Sequence, residues 1–224
     1  LSDGNTAVIF PTSQDHKQVY DGDQGPNTGG MGVIAPIDWV TDSNMQTVKT
    51  KIVQPALDGL KNEGANFVGC LYPGLMINGE DVNTVEFNAR FGDPETEVYM
   101  RLLDSDIVEI FESCVDGNLD PDNVQWKSGY AVTVVLASGG YPKKYETGLP
   151  ISGIDEAEKI DNVVVFHAGT KKNGDTYLTA GGRVLNVTAT GSTLDEALAT
   201  AYKAVDLIHF EGMHYRTDIG RRPN

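Results

Sequence analysis

Residues 84–95, which read T-V-E-F-N-A-R-F-G-D-P-E, constrain the fold more than any other part of the chain. Apolar and polar residues alternate strictly over the first eight positions. This period of two, with aromatic and β-branched residues on one face, is typical of a half-buried β-strand. The polar face presents Glu86, Asn88 and Arg90 in a row, and the glycine and proline that follow predict a turn.

The residue types on this polar face suit phosphoryl transfer. Glu86 and Asn88 offer oxygen ligands of the kind that Mg²⁺ binds while it keeps other positions for water and phosphate. Arg90 offers a planar pair of donors for a phosphoryl or acyl-phosphate oxygen. The same pattern also fits an amphipathic strand whose polar face meets solvent, with Glu86 and Arg90 loosely paired. The spacing alone therefore leaves both interpretations open.

A second informative stretch, residues 21–32, is rich in glycine and reads D-G-D-Q-G-P-N-T-G-G-M-G. Its glycines and proline predict an irregular loop and exclude a regular helix or strand. Such a loop lets the backbone approach a ligand closely, and successive N–H groups can form an anion-binding nest. The stretch matches neither the Walker loop nor the dinucleotide-binding glycine pattern. A flexible surface loop is the alternative.

A short apolar run at residues 7–10 predicts a strand, and the polar segment after it contains His16 and Lys17. Adjacent side chains in an extended chain point to opposite sides. We therefore expect one of the two to reach an anion while the other braces a loop. An ordinary surface pair is the alternative.

Composition narrows the class of protein. The net charge of −15 argues against non-specific binding to nucleic acid or to anionic membranes. No run of about 18 apolar residues predicts a membrane span, and the first residues do not read as a signal peptide. Cys70 and Cys114 suggest neither a disulfide framework nor a metal site, so the expected location is cytoplasmic.

Regular elements are predicted around the central segment. Residues 41–64 predict a helix that Pro55 kinks or divides. The apolar run at residues 67–77 predicts a buried strand, and the Asn-Gly-Glu turn after it predicts a hairpin with the Glu86 strand. Residues 95–119 predict helix, divided near Asp104, with Asp93 as its cap and Pro94 in its first position.

The polar segment at residues 116–128 indicates a domain boundary, and the residues after it predict mainly strands. Strands are predicted over residues 130–137, 162–166 and 183–189, a loop over 139–147, and a helix over 194–208. The sequence thus predicts two domains, residues 1–122 and residues 123–224.

Three motifs together resemble the phosphoribosylamine–glycine ligase (glycinamide ribonucleotide synthetase) family of the ATP-grasp superfamily. They are S-Q-D-H-K-Q at residues 13–18, D-Q-G-P-N-T-G-G-M-G at 23–32 and V-E-F-N-A-R-F-G-D-P-E at 85–95. Later strings at residues 136–142, 165–171, 181–185 and 218–220 resemble the C-terminal domain of the same family. Gln18 departs from the usual arginine, so an anion contact from that position is not expected here.

The resemblance implies ATP-dependent ligation of glycine to 5-phosphoribosylamine through a glycyl phosphate in purine biosynthesis, with Mg²⁺ or Mn²⁺ as metal. It assigns Glu86 and Asn88 to the metal, and Arg90 and Asp23 to catalysis. The substrate-binding residues that it implies are His16, Lys17, Gly25, Pro26, Asn27, Thr28, Gly29, Gly30, Met31, Asp93, Pro94 and Glu95.

The implied fold is α+β: the C-terminal half of an ATP-grasp domain, with an antiparallel sheet and packed helices, followed by a small α+β domain. In this family a nucleotide-fold domain and an ATP-grasp lid precede the equivalent of Leu1. We therefore expect a fragment that is inactive alone and needs the N-terminal half of the same enzyme. The alternatives are another ATP-grasp carboxylate–amine ligase or carboxylase, and a non-catalytic binding fragment.

Overall fold

The computed structural model describes residues 1–221. The strands are β1 (Ser2–Asp3), β2 (Gln14–Asp15), β3 (Gln18–Tyr20), β4 (Gln24–Asn27), β5 (Gly32–Ala35), β6 (Val68–Gly69), β7 (Tyr72–Asn78), β8 (Asp81–Asn88), β9 (Tyr130–Ala137), β10 (Pro150–Ile151), β11 (Val163–His167), β12 (Thr170–Asn173), β13 (Thr176–Thr179) and β14 (Arg183–Gly191). The α-helices are α1 (Asp42–Thr47), α2 (Gln54–Asn62), α3 (Glu95–Leu102), α4 (Ile107–Asp116), α5 (Ile154–Ala157) and α6 (Leu194–Val205). No helix in this part of the chain is long and apolar enough to cross a membrane.

Contacts within the chain define two compact units. Unit one comprises Leu1–Thr12, Ile37–Gly92 and Leu103–Lys127. Unit two comprises Ser13–Pro36, Asp93–Leu102 and the chain from Ser128 onward. These units interleave along the sequence, whereas the predicted domains 1–122 and 123–224 are contiguous. That sequence boundary stays a prediction.

The predicted helix over residues 41–64 is confirmed in unit one. Thr41 caps α1 with a capping box that includes the Asn44 side chain. A π-helical segment, Val48–Val53, joins α1 to α2 directly before Pro55. Proline has no N–H to donate within a helix, and the local change of helix type lies where the sequence predicted a kink or division. Buried Val48, Val53 and Leu57 form the helical part of the core.

The predicted hairpin is also confirmed. Strands β7 and β8 pair antiparallel, with Tyr72 opposite Asn88 and Gly74 opposite Glu86. The expected burial was wrong: Val85 is 67% exposed and Phe87 48% exposed, so the apolar face of β8 is not covered within the described structure. The run at residues 67–77 is likewise split between β6 and β7 and only partly buried.

The strand predicted at residues 7–10 does not form. Ala7 makes an isolated bridge with Ser2, and the Val8 N–H donates to the Leu1 carbonyl at 2.9 Å. Leu1, Ser2 and Asp3 thus lie against these residues, and β1 pairs with β6. Residues 8–10 are irregular chain, and Ala7 and Ile9 pack against the cluster of Val48, Val53 and Leu57.

A five-stranded antiparallel sheet in the order β11-β14-β9-β5-β2 is the framework of unit two. Strand β9 runs over the predicted residues 130–137 and is buried from Ala131 to Ala137. Helices α3 and α6 pack against β9 and β14. The strands predicted at residues 162–166 and 183–189 are confirmed as β11 and β14, and the helix predicted at 194–208 ends earlier, at Val205.

Sequence patterns missed the small sheet in the order β10-β13-β12. Its strands are two to four residues long and β12 is the polar segment T-K-K-N, so they carry no alternation of apolar residues. The helical stretch at residues 95–119 is divided as predicted, into α3 and α4. Helix α3, however, begins at Glu95, so Pro94 lies outside its first position.

Candidate active site

The E-x-N-x-R row lies at the end of β8 in unit one. The strand ends at Asn88, so Arg90 follows on a bend and does not continue the strand as the sequence predicted. The three side chains are nevertheless neighbours. Asn88 Nδ2 donates to Glu86 Oε1 at 3.1 Å, and Arg90 Nη2 donates to Asn88 Oδ1 at 3.2 Å. Arg90 Nη1 donates to its neighbour's carbonyl, that of Phe91, at 3.0 Å.

The oxygen donors of this row fit a magnesium ion. Glu86 is exposed and Asn88 half-buried, and the glycine opposite Glu86 leaves room for its side chain: a Cβ at Gly74 would lie 3.0 Å from Glu86 Cγ. Within residues 1–221 no group of three or more His, Cys, Asp or Glu residues is arranged to hold a metal. Mg²⁺ needs only one or two carboxylates beside amide, water and phosphate oxygens. The carboxylate of Glu86 and the amide oxygen of Asn88 are therefore ligand types that a magnesium site can use.

The glycine-rich stretch of unit two contains more regular structure than the sequence predicted. Residues Gln24–Asn27 form β4, which pairs with β3, and Gly32 begins β5. Between them the N–H groups of residues 28–31 donate within the protein, to the Lys17 carbonyl, the Tyr141 hydroxyl, the Thr28 hydroxyl and the His16 carbonyl respectively. In this conformation these four N–H groups are not offered to an anion.

His16 braces the chain, as one member of the His16–Lys17 pair was expected to do. Its Nδ1 lies 3.0 Å from the Gly32 carbonyl, and its Nε2 accepts the Gly220 N–H at 3.1 Å. These contacts fix the neutral tautomer with the proton on Nδ1. Burial lowers the pKa of the imidazole, although the contact with the Gly32 carbonyl acts in the opposite direction.

Lys17 is the outward member of the pair and forms an ion pair with Asp15, a residue that the sequence reasoning missed. Burial raises the pKa of Asp15 to about 6; the Glu95 carboxylate adds to the rise, and Lys17 opposes it. Burial would lower the pKa of Lys17, but the Asp15 carboxylate outweighs that effect and raises it. Asp15 is part of the motif S-Q-D-H-K-Q. The sequence does not distinguish it from a surface aspartate, because the difference is the burial of its side chain.

The turn Asp93–Pro94 meets the glycine-rich loop. A Cβ at Gly30, where φ is +127°, would lie 2.5 Å from Pro94 Cδ and 2.6 Å from Asp15 Oδ1, so only glycine fits. The Asp93 carboxylate accepts from Arg183 Nη2 at 3.2 Å. Glu95 is buried in the first turn of α3.

Asp23 is an exposed carboxylate that pairs with a buried arginine. Arg216, 1% exposed, donates from Nη1 to Asp23 Oδ1 at 2.9 Å and from Nε to Asp218 Oδ1 at 2.7 Å. Its Nη1 also donates to the Gln18 carbonyl at 3.2 Å. Burial alone would raise the pKa of Asp218, but bonds from Arg216 and from the Gly22 N–H lower it to about 2.

The structure thus brings together, within unit two, Lys17, Gly29, Gly30 and the Asp93–Glu95 turn. Gly25, Pro26 and Asn27 lie exposed on β4. Met31 is fully buried against Val19 and Ala137, so its side chain belongs to the core. The row Glu86, Asn88 and Arg90 belongs to unit one. Sequence reasoning missed Asp15, Arg183 and Arg216 as site-forming residues, although the G-G-R-V-L string contained Arg183.

Two family profiles, both of the same enzyme, match most of this chain. The profile of the phosphoribosylglycinamide synthetase ATP-grasp (A) domain matches residues 1–96, and that of the same enzyme's C domain matches residues 131–222. Phosphoribosylamine–glycine ligases of Caulobacter vibrioides and Chlorobaculum tepidum are 49% and 45% identical over 99% of this chain and 52% of each relative.

A solved structure of phosphoribosylamine–glycine ligase from Thermotoga maritima is also similar. It is 37% identical, covers 96% of this chain and 52% of its own, and has a TM-score of 0.86. The chain therefore spans about half the length of the relatives that it matches. It belongs to the phosphoribosylglycinamide synthetase family of ATP-grasp ligases.

Proposed function

We propose that this chain supplies the metal-binding row and part of the acceptor-substrate site of an ATP-dependent ligase that joins glycine to 5-phosphoribosylamine. The hydrogen-bonded row of Glu86, Asn88 and Arg90 carries the proposal, because it places two oxygen ligands and a guanidinium side by side. In the proposed reaction the glycine carboxylate attacks the γ-phosphate of ATP, which gives ADP and glycyl phosphate. The amine then displaces phosphate and forms the amide.

The row has distinct tasks in this scheme. Glu86 and Asn88 would hold Mg²⁺ or Mn²⁺, which neutralises phosphate charge when bound. Arg90 would stabilise the charge that develops on the transferring phosphoryl group. Metal binding would replace the bonds that Glu86 Oε1 and Asn88 Oδ1 accept from side chains. The expected signature is a metal affinity that E86Q weakens and that an exposed control, E112Q on α4, leaves unchanged.

The unit-two residues would surround the sugar phosphate and the glycine. Lys17 is the half-exposed cation of this group, and it lies beside the loop and the Asp93 turn. His16 and Asp23 act indirectly, since both are held by protein partners.

The chain's two-domain boundary after residue 122 and its cytoplasmic location remain predictions.

The test uses a chimera in which the N-terminal half of the Caulobacter vibrioides relative precedes this chain. We expect ADP release that needs both glycine and 5-phosphoribosylamine in the chimera, with one amide product per ADP, and none from the 224-residue chain alone. The E86Q chimera should lose at least about tenfold in kcat. A folded chimera without turnover would contradict the ligase proposal, and turnover by the chain alone would contradict its inactivity.

The same test separates the alternatives. A different ATP-grasp ligase or carboxylase would release ADP with another carboxylate or with bicarbonate, and would not need 5-phosphoribosylamine. A non-catalytic binding fragment would leave the chimera inactive whichever substrate is supplied. Family membership favours the glycine ligase among these outcomes.

A further inference from the structure

Arg183 lies where three segments of unit two meet. Its Nη1 donates to the Gly29 carbonyl at 3.1 Å and to the Asp93 carbonyl at 2.7 Å. Its Nη2 pairs with the Asp93 carboxylate at 3.2 Å. One guanidinium therefore joins the glycine-rich loop to the Asp93 turn, two segments that are 64 positions apart in the sequence.

The space for this guanidinium depends on Gly29. A Cβ built at Gly29 would lie 2.9 Å from Arg183 Cζ, 3.1 Å from Nη2 and 3.2 Å from Nε, and these three side-chain atoms are its nearest neighbours. The guanidinium thus lies directly against the loop backbone. A methyl group at Gly29 would displace it, because the arginine tip can move more easily than backbone.

The other side of Gly29 is held by Tyr141. The Gly29 N–H donates to the Tyr141 hydroxyl at 3.0 Å, and the Tyr141 ring packs against Gly182, where a Cβ would lie only 2.3 Å from Cδ2. Gly182 and Arg183 are consecutive, and a β-bulge follows between Arg183 and Leu185. A bulge re-aims the side chains next to it. The consecutive residues Gly182 and Arg183 therefore both hold the glycine-rich loop, the first by leaving space for the Tyr141 ring and the second by its bond to the Gly29 carbonyl.

We propose that Arg183 is a positioning residue that holds the glycine-rich loop and the Asp93 turn together as one substrate-binding surface. The inference rests on the proposed function for what the surface binds, a phosphorylated sugar amine. Lysine cannot replace arginine here, since one ammonium cannot reproduce the planar fork that contacts two carbonyls and a carboxylate. A solitary surface ion pair contributes little, but this residue also satisfies two backbone carbonyls.

The first test is amide hydrogen exchange of the 224-residue chain. In R183M and R183K we expect the amides of residues 28–31 to exchange about tenfold faster, because the loop loses its contact with the Asp93 turn. R221M, which changes an exposed arginine, should leave these rates within twofold. Protection of the β9 amides checks that each variant remains folded.

Gly29 offers a second variant that keeps Arg183 in the chain. G29A should reproduce the R183M effect, because the added methyl group takes the place of the guanidinium. The double variant G29A/R183M should exchange no faster than R183M alone. Additive effects, or unchanged rates in R183M, would overturn the proposal whether or not the ligase activity is found.

The chimera adds a kinetic readout. In R183M we expect KM for 5-phosphoribosylamine to rise at least tenfold while KM for ATP changes less than twofold. A parallel rise in both constants would indicate a general structural role and would overturn the positioning role. A wild-type chimera without turnover would refute the proposed function, and the exchange experiment would still decide the role of Arg183.

Discussion

The candidate residues of unit one and those of unit two are held in different ways. In the β7–β8 hairpin of unit one, Glu86, Asn88 and Arg90 are hydrogen-bonded to one another and to chain neighbours within two residues. In unit two, the loop at residues 28–31 and its flanks are bonded to partners 112, 154 and 204 positions away. The loop geometry is thus imposed by tertiary contacts, whereas the row keeps more side-chain freedom.

This difference has a functional meaning. Residues that bind a substrate of fixed shape benefit from a surface that is ordered before binding. If the proposed metal ligands on the exposed hairpin bind an ion, their side chains are free to adjust to it, because they are bonded only to one another and to chain neighbours. We therefore expect substitutions in the loop framework to alter stability as well as binding, and substitutions in the hairpin to alter binding with little effect on stability.

The largest effect on this comparison is expected from R216M. The substitution removes the buried Arg216 cation from the partly exposed Asp23 and Asp218 carboxylates, and we expect a loss of about 2–3 kcal/mol because hydrogen bonds between charged groups are lost. Urea unfolding of the chain measures the loss. K203M, an exposed change on α6, should stay within about 0.5 kcal/mol. A loss below about 1 kcal/mol in R216M would show that unit two does not depend on this cluster.

Valine-to-threonine changes on two strands compare the units directly. V132T places a hydroxyl in the fully buried β9 and should cost about 2 kcal/mol, because the hydroxyl loses water. V85T on exposed β8 should cost less than about 0.5 kcal/mol. The same unfolding measurement applies to both. Equal costs would mean that the face of Val85 is covered in solution.

A smaller effect concerns pH. The pKa of Asp15 is raised in the folded chain to about 6, so the folded state binds more protons than the unfolded state between pH 4 and 6, and stability falls as pH rises through that range. For wild type relative to D15N we expect a loss of about 1 kcal/mol between pH 5 and pH 7. Urea unfolding at both pH values tests this, with the exposed D175N as control. A difference that does not change with pH would contradict the burial of an ionisable Asp15.

The smallest effects are expected at two glycines of unit one, Gly59 inside α2 and Gly64 just after it. Gly59 lies inside α2 with nothing near its would-be Cβ, so G59A should stabilise the chain by about 0.5–1 kcal/mol. Gly64 has equally open space but a φ of +79°, so G64A should destabilise it by about 1 kcal/mol. Thermal unfolding of the two variants gives the signs. A stability change of the same sign in both variants would show that backbone conformation does not determine the effect of alanine at these two positions.

Sequence reasoning succeeded where local patterns dominate. The hairpin turn, the helix over residues 41–64 and the β9 strand follow from turn chemistry, helical periodicity and apolar runs. It failed for strands of two to four residues that carry no apolar alternation, as in β4 and the sheet of β10, β12 and β13. It also misjudged the burial of Val85 and Phe87, because alternation reports two faces and not what covers them.

The sequence by itself determined the chemistry available to this chain: an E-x-N-x-R row, a glycine-rich loop with a lysine before it, and the likeness to one ligase family. Only the tertiary structure decided which polar groups work as partners. Asp15, Arg183 and Arg216 are ordinary charged residues in the sequence, and their roles depend on burial and on contacts with distant segments. Residue type fixes what a side chain can donate or accept, whereas the fold fixes its neighbours and how far water is excluded from it.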